Sequence, residues 1–220
     1  LKVKKITSIG NLKFIEHDSF ETNQADKKLF SQFKKYKTFV AASTHNTEEL
    51  FAAKTHILLK KKIKNIITII IPRHINRVDQ IISQINELGL NAISRRSNKK
   101  KLDNIDIYLV DTFGESKKFY KFATTVFLGG SIIKRGGQNP LEPARFGAKI
   151  LHGPNIDNFR DVYKYLNQLE ISSSINTPQQ CANSIIFKKN MKKAKKMKYL
   201  GTTILKKTLN ELDKSIHNEI

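Results

Sequence analysis

The stretch NIITIIIPRHINRVDQIISQINELG, residues 65–89, decides the fold. Its first part, residues 66–71, is a β-branched run that is apolar at nearly every position. A strand with one wet face alternates, so an unbroken run reads as a strand covered on both faces. Pro72 closes it. Then Val78, Ile81, Ile82, Ile85 and Leu88 recur at three- and four-residue spacing, one face of a helix. Gly89 supplies the stop. Strand, loop and helix in that order form one step of a βαβ unit.

The same alternation extends both ways. Residues 38–42 are a short apolar run, followed by Ser43-Thr44-His45 and a helical pattern to about residue 62. Beyond the deciding stretch come a short strand (91–94), a basic loop (95–104), a strand (105–110) and a short helix (115–122). A strand (125–128), a glycine-bearing loop, a helix start (139–146), a strand (149–151) and a helix (157–169) complete the pattern. The expectation is an α/β fold, a Rossmann-like three-layer domain with a mainly parallel sheet. In such sheets ligands bind outside the carboxyl ends of the strands.

Composition narrows the class. Hydrophobic residues are 39% of 220, enough for a packed core and too many for a disordered chain. No apolar run approaches the roughly 20 residues of a membrane-spanning helix. Cys181 is the single cysteine, which excludes a disulfide framework and a cysteine-based zinc site. The chain opens on Leu1, and an N-terminally incomplete chain is expected. The net charge is +21, which calls for an anionic partner or reflects an AT-rich coding bias, since only seven of the 40 cations are Arg. Cations interleaved with aromatics on one face, as single-stranded nucleic acid requires, are not seen, so no nucleic-acid partner is expected.

The post-strand loops hold the unusual residues. They are Ser43-Thr44-His45, Pro72-Arg73-His74, Asp111-Thr112-Phe113-Gly114-Glu115, Gly129-Gly130-Ser131 and Arg135 to Glu142, with Gly153-Pro154 after the last strand. Arg73 can fork two N–H groups onto phosphate or carboxylate oxygens. Gly114, Gly136 and Gly137 let a ligand approach the backbone. Asn139-Pro140-Leu141-Glu142 has the spacing of a capped helix start, Asn at the cap and Pro at the first helical position. Ser43, Thr44 and His45 can donate to a phosphate, and His74 either holds the loop after Arg73 or touches the ligand.

These blocks, together with Gly10-Asn11-Leu12-Lys13-Phe14 and the segment Gly153 to Phe159, resemble the C-terminal half of 3-deoxy-D-manno-octulosonic acid (Kdo) transferases. The resemblance implies the donor-binding half of a GT-B glycosyltransferase, with additional C-terminal helices. It implies CMP-Kdo as donor substrate and no cofactor or metal. A lipid A precursor as acceptor and the cytoplasmic face of the bacterial inner membrane as location also follow. Pro72, Arg73, Phe113, Gly114, Glu115, Asn139, Pro140, Leu141 and Glu142 are then expected to contact CMP. Glu115 would bind an amino group or ribose hydroxyl, and Glu142 the ribose. Lys13 matches a lysine near the reaction centre, while the family's catalytic base lies in the other half. Phe113 and Gln138 depart from the family's usual Met and His. Another GT-B nucleotide-sugar transferase half, or a non-catalytic nucleotide-binding module, is the alternative.

Three segments are expected: a connection and first helix over 1–35, the donor-binding domain over 36–186, and a basic helical segment over 187–220. In the last, Met191, Ala194, Met197 and Leu200 form an apolar seam between lysines. That seam suits an anionic membrane or the other half of the enzyme.

Overall fold

The computed structural model describes residues 24–97 and 101–217. Seven strands form one parallel sheet: β1 (Lys37–Thr44), β2 (Ile66–Pro72), β3 (Ala92–Ser94), β4 (Ile107–Leu109), β5 (Thr125–Leu128), β6 (Lys149–His152) and β7 (Ser172–Ser174). Their order is β3-β4-β2-β1-β5-β6-β7, and every pairing is parallel. All seven residues of β2 are buried, as the unbroken apolar run requires.

Helices cover both faces. On one lie α2 (Glu48–Lys60), α3 (Val78–Glu87) and α7 (Pro178–Ser184), through Phe51, Leu59, Ile81, Ile85 and Cys181. The other carries α1 (Gln24–Phe33), α4 (Ser116–Tyr120), α5 (Leu141–Arg145), α6 (Arg160–Gln168) and α8 (Met191–His217), through Phe33, Phe119, Leu141, Tyr163 and Met197. A Rossmann-like three-layer α/β domain is therefore what forms. Sequence patterning missed β7, three serines with no apolar signature, because its register is set by pairing with β6.

Two expectations are corrected. Part of the tail's apolar seam packs on this domain rather than on a membrane or another half. Ala194 and Met197 are buried in this domain's own core, and Asn190 N–H bonds the Gly147 carbonyl at 2.9 Å. Met191 stays exposed, and the side chain of Leu200 lies outside the described residues. The helix expected to begin with Pro140 starts at Leu141, with Pro140 flanking it and Asn139 Oδ1 accepting from Leu141 N at 3.0 Å. Lys13 and its flanking motif also lie outside the described residues.

At the amino ends of the strands a buried polar peg joins α2 to the sheet. His56 Nδ1 meets Thr68 Oγ1 at 2.9 Å, and Nε2 meets Asp106 Oδ1 at 3.3 Å. Lys60 Nζ and the Asn91 N–H also donate to Asp106, at 2.5 and 3.0 Å. Hydroxyl, imidazole and carboxylate in line resemble a nucleophile relay, but Thr68 and His56 are fully buried, so the peg is structural. Burial pushes the His56 pKa down, against the pull of Asp106. The unfolded chain therefore takes up a proton first as pH falls below about 6.5, and stability drops with it. Burial lowers His152 in the same way. His56→Gln is expected to flatten part of the stability slope between about pH 5 and 6.5, read from urea unfolding midpoints. An unchanged slope would remove His56 from the account.

Candidate functional site

Going from β1 to β2 the chain moves one way across the sheet, and from β5 to β6 the other. The loops leaving β1 and β5 therefore diverge to opposite faces. The crevice they leave is the topological switch point of the sheet, where open α/β sheets hold ligands.

One carboxylate builds this crevice. Glu48, at the start of α2 and fully buried, turns back over both loops. Its Oε2 accepts from the N–H groups of His45 (3.0 Å) and Gly130 (2.7 Å). Its Oε1 accepts from Ser131 (3.1 Å) and Ile132 (3.0 Å). Three successive N–H groups of the turn after β5 thus converge on one internal anion, the arrangement that elsewhere cradles phosphate. A ligand anion must bind beside this nest rather than in it.

The loops sit close and strained. Ser43 and Thr47 hold positive φ, 54° and 78°, a conformation Thr in particular avoids. A Cβ on Gly129 would stand 2.4 Å from the Ser43 carbonyl oxygen and 2.6 Å from Thr44 Cα. Only glycine permits that approach. Arg73 N–H bonds the Thr44 carbonyl at 2.8 Å, tying the end of β2 to the end of β1. Gly137 N–H bonds the Gly130 carbonyl at 2.8 Å, folding residues 130–137 back on themselves. Asn158 packs on Gly136, where a Cβ would stand 2.6 Å from its amide carbon. The Asn158 N–H also bonds the Gly136 carbonyl at 2.9 Å.

The expected residues fall on this one rim. Arg73 and His74 are exposed past the buried Pro72. His74 lies edge-on to His45, ring centres 5.6 Å apart. Thr44 is buried and Ser43 half-buried. On the far side of β2, Phe113 stands 77% exposed and ready to pack against a flat ligand. Gly114 has φ 75° and open space around it. Asn139 and Glu142 are half-buried. Pro140 and Leu141 are buried, Leu141 wholly within the core, so they offer a ligand only backbone. The short helices α4 and α5 touch, which brings the 113–115 and 139–142 turns to the same face. Each is five residues long. At that length free N–H groups remain, but a summed helix dipole does not.

Glu115 is more engaged than its motif implies. Its carboxylate accepts from Arg95 Nε and Nη2, the Thr112 hydroxyl and Lys118 Nζ. Arg95 and Lys118 also hold Asp26, fully buried on α1, at 2.5 and 2.8 Å. Burial alone would raise both carboxylates; the bonds from these cations hold them below their ordinary values instead. The Arg95–Asp26–Glu115–Lys118 cluster locks α1, the loop after β3 and the 112–115 turn into one body. Residues 95–104 read as a basic loop, so sequence reasoning missed Arg95 and Asp26. The signal was there: Arg is scarce where Lys is the default cation.

Arg73 and Arg135 form no ion pair among the described residues and carry free charge at the rim. Among the described residues no three His, Cys, Asp or Glu side chains gather as a metal site would need. No described helix is long and apolar enough to cross a membrane. The rim therefore offers two unneutralised guanidiniums, an exposed aromatic face, half-buried Asn139 and Glu142 and glycine-lined backbone. That set suits a nucleotide bearing an anionic group.

No family model matches the chain. Several curated proteins do. It is 28% identical over 188 residues to a 3-deoxy-D-manno-octulosonic acid transferase from Haemophilus influenzae, covering 83% of this chain and 44% of the relative. It is 31% identical over 206 residues to one from Rickettsia prowazekii, covering 94% of this chain and 44% of the relative. A probable mitochondrial 3-deoxy-D-manno-octulosonic acid transferase from Arabidopsis thaliana matches at 29% over 164 residues, 72% of this chain and 37% of the relative. The chain thus spans less than half the length of these relatives. Among solved structures, the C-terminal CMP-Kdo binding domain of WaaA from Acinetobacter baumannii shares the fold. The TM-score is 0.63 and the identity 22%, with 83% of this chain and 96% of that chain covered. The likeness read from the motifs is borne out by these relatives.

Proposed function

We propose that this chain is the donor-binding half of a Kdo transferase, holding CMP-Kdo at the crevice between β1 and β5. The observation that carries the reading is the gathering of Arg73, the 113–115 turn and Asn139 to Glu142 at one carboxyl edge of the sheet. Similarity to the curated transferases supplies the sugar. The acceptor in this reading is a lipid A precursor, met at the cytoplasmic face of the bacterial inner membrane in lipopolysaccharide synthesis.

The chemistry follows from the donor. An acceptor hydroxyl forms a bond to the anomeric carbon of Kdo as the bond from that carbon to the phosphate oxygen breaks. The phosphodiester carries one negative charge and departs as CMP carrying a second. Arg73, pre-aimed by Pro72, meets that growing charge. The hydroxyl proton passes to a base outside the described residues. Phe113 covers a face of the cytosine, and Glu142 accepts from ribose hydroxyls. The chemistry draws on side chains and backbone alone, without a cofactor.

Calorimetric titration with CMP tests the site. Arg73→Ala is expected to weaken CMP binding roughly tenfold, the worth of one charge-assisted hydrogen bond. Glu142→Ala removes bonds from the ribose hydroxyls to a carboxylate, which are also charge-assisted, and is expected to weaken binding by a similar factor. Circular dichroism should show both variants folded, since neither side chain is fully buried. Wild-type protein that ignores CMP, or two variants that bind as tightly as wild type, would refute the assignment.

A further inference from the structure

Between the two diverging loops the His45 ring is placed as a wedge. A Cβ on Gly130 would stand 3.5 Å from its Cδ2. Its backbone N–H is fixed by Glu48 at 3.0 Å. His74 stands edge-on against it. Its Nε2 is buried and has no hydrogen-bond partner among the described residues. A buried polar nitrogen without a partner is destabilising. It persists where a ligand completes it.

The charges around the ring are unbalanced. Glu48 faces it from α2, Arg73 and His74 from the end of β2, and Arg135 from the loop after β5. Of these, Glu48 is already saturated by four N–H groups. Arg73 and Arg135 have no anion of their own among the described residues. Burial first, then His74 and the two arginines, hold the imidazole below its ordinary pKa, with Glu48 acting the other way. The ring therefore stands neutral at neutral pH. An anion set against Arg73 and Arg135 cancels their repulsion and rewards a proton on the ring.

We propose that His45, together with Arg73 and Arg135, closes on the phosphate of the bound nucleotide and takes up a proton as it does so. Arg135 thereby joins the site as a second guanidinium. This inference rests on the nucleotide-donor reading and adds to it a proton that travels with the donor. His45 becomes a charged donor to the phosphate only when the phosphate is present, so its charge stabilises the departing CMP without disturbing the empty site.

The test is calorimetry with CMP near pH 7 in buffers of different ionisation enthalpy. The dependence of observed heat on buffer counts protons. Free CMP, a phosphate monoester of pKa about 6, is mostly dianionic there, and its own titration on binding to cations releases protons rather than consuming them. The readout is the difference between wild type and His45→Gln, whose amide can still donate from the Nε2 position but cannot titrate. Wild type is expected to take up at least about half a proton more per CMP bound than His45→Gln. Arg135→Ala is expected to weaken CMP binding roughly tenfold. Cytidine, lacking the phosphate, should show no uptake. Equal proton counts for wild type and His45→Gln would overturn this inference while leaving the donor reading standing. Absence of CMP binding altogether would overturn the donor reading and this inference with it.

Discussion

Glu48→Gln is expected to destabilise the domain by about 2–6 kcal/mol, although it changes one oxygen to one nitrogen. The carboxylate is fully buried and each oxygen accepts two backbone N–H groups. The amide of Gln presents one acceptor and one donor. Its NH2 would face either His45 and Gly130 or Ser131 and Ile132, leaving two buried N–H groups opposed by hydrogens. At about 1–3 kcal/mol for each buried donor left unmade, the sum is a large part of the stability of a domain this size. Urea unfolding measures it. Because the lost bonds join the β1 and β5 loops, surviving Glu48→Gln protein is also expected to lose CMP affinity. A midpoint shift worth less than about 1 kcal/mol would mean that the nest is solvated and Glu48 does not organise the site.

Gly129→Ala is expected to have the other large effect, about 3 kcal/mol or more. The added methyl meets backbone on two sides, the Ser43 carbonyl at 2.4 Å and Thr44 Cα at 2.6 Å, and on a third, at 2.8 Å, the immobilised Glu48 carboxylate. None of these can rotate away as a flexible side chain does. Relief requires prising β5 from β1, whose pairing includes the Gly129 N–H to Ala42 carbonyl bond at 2.9 Å. Gly114→Ala is the control. Its φ of 75° is strained for Ala, but nothing lies within 4 Å, so about 1 kcal/mol is expected. Thermal or urea unfolding of the two variants distinguishes steric contact from backbone preference. Equal losses would contradict the packing of the two loops.

Much of the fold was legible because burial on both faces leaves an unmistakable trace. β2 and β5 are apolar at nearly every position, and α3 shows its face at helical spacing. The central part of the sheet follows from those. What escaped was set by tertiary partners. β7 carries only Ser172, Ser173 and Ser174, and exists because β6 offers it a ladder. The seam on α8 reads as amphipathic from sequence, but periodicity does not say which surface it meets; here Met197 meets this domain's own core.

The site divides in the same way. Glycines and Arg73 after strand ends announce a rim because parallel strands gather their ends on one side. The motif residues Glu115 and Leu141 were legible as positions but not as roles. Glu115 is held by Arg95, which is distant in sequence, and Leu141 is a core residue that carries its neighbours Asn139 and Glu142. In the sequence Glu48 is an acid soon after Ser43-Thr44-His45, with nothing to name its partners. Its convergence with Gly130, Ser131 and Ile132 exists only once β5 lies beside β1.

Amide chemical-shift mapping during a CMP titration tests the central claim most directly. The account predicts saturable shifts confined to the carboxyl edge of the sheet, at residues 43–45, 73–74, 113–115 and 129–142. Residues around the polar depression of about 530 Å³ at the opposite edge, lined by Lys60, Lys64, Asn91 and Asp106 among others, should stay unmoved. Shifts centred on that depression, or no saturable shifts at millimolar CMP, would contradict it.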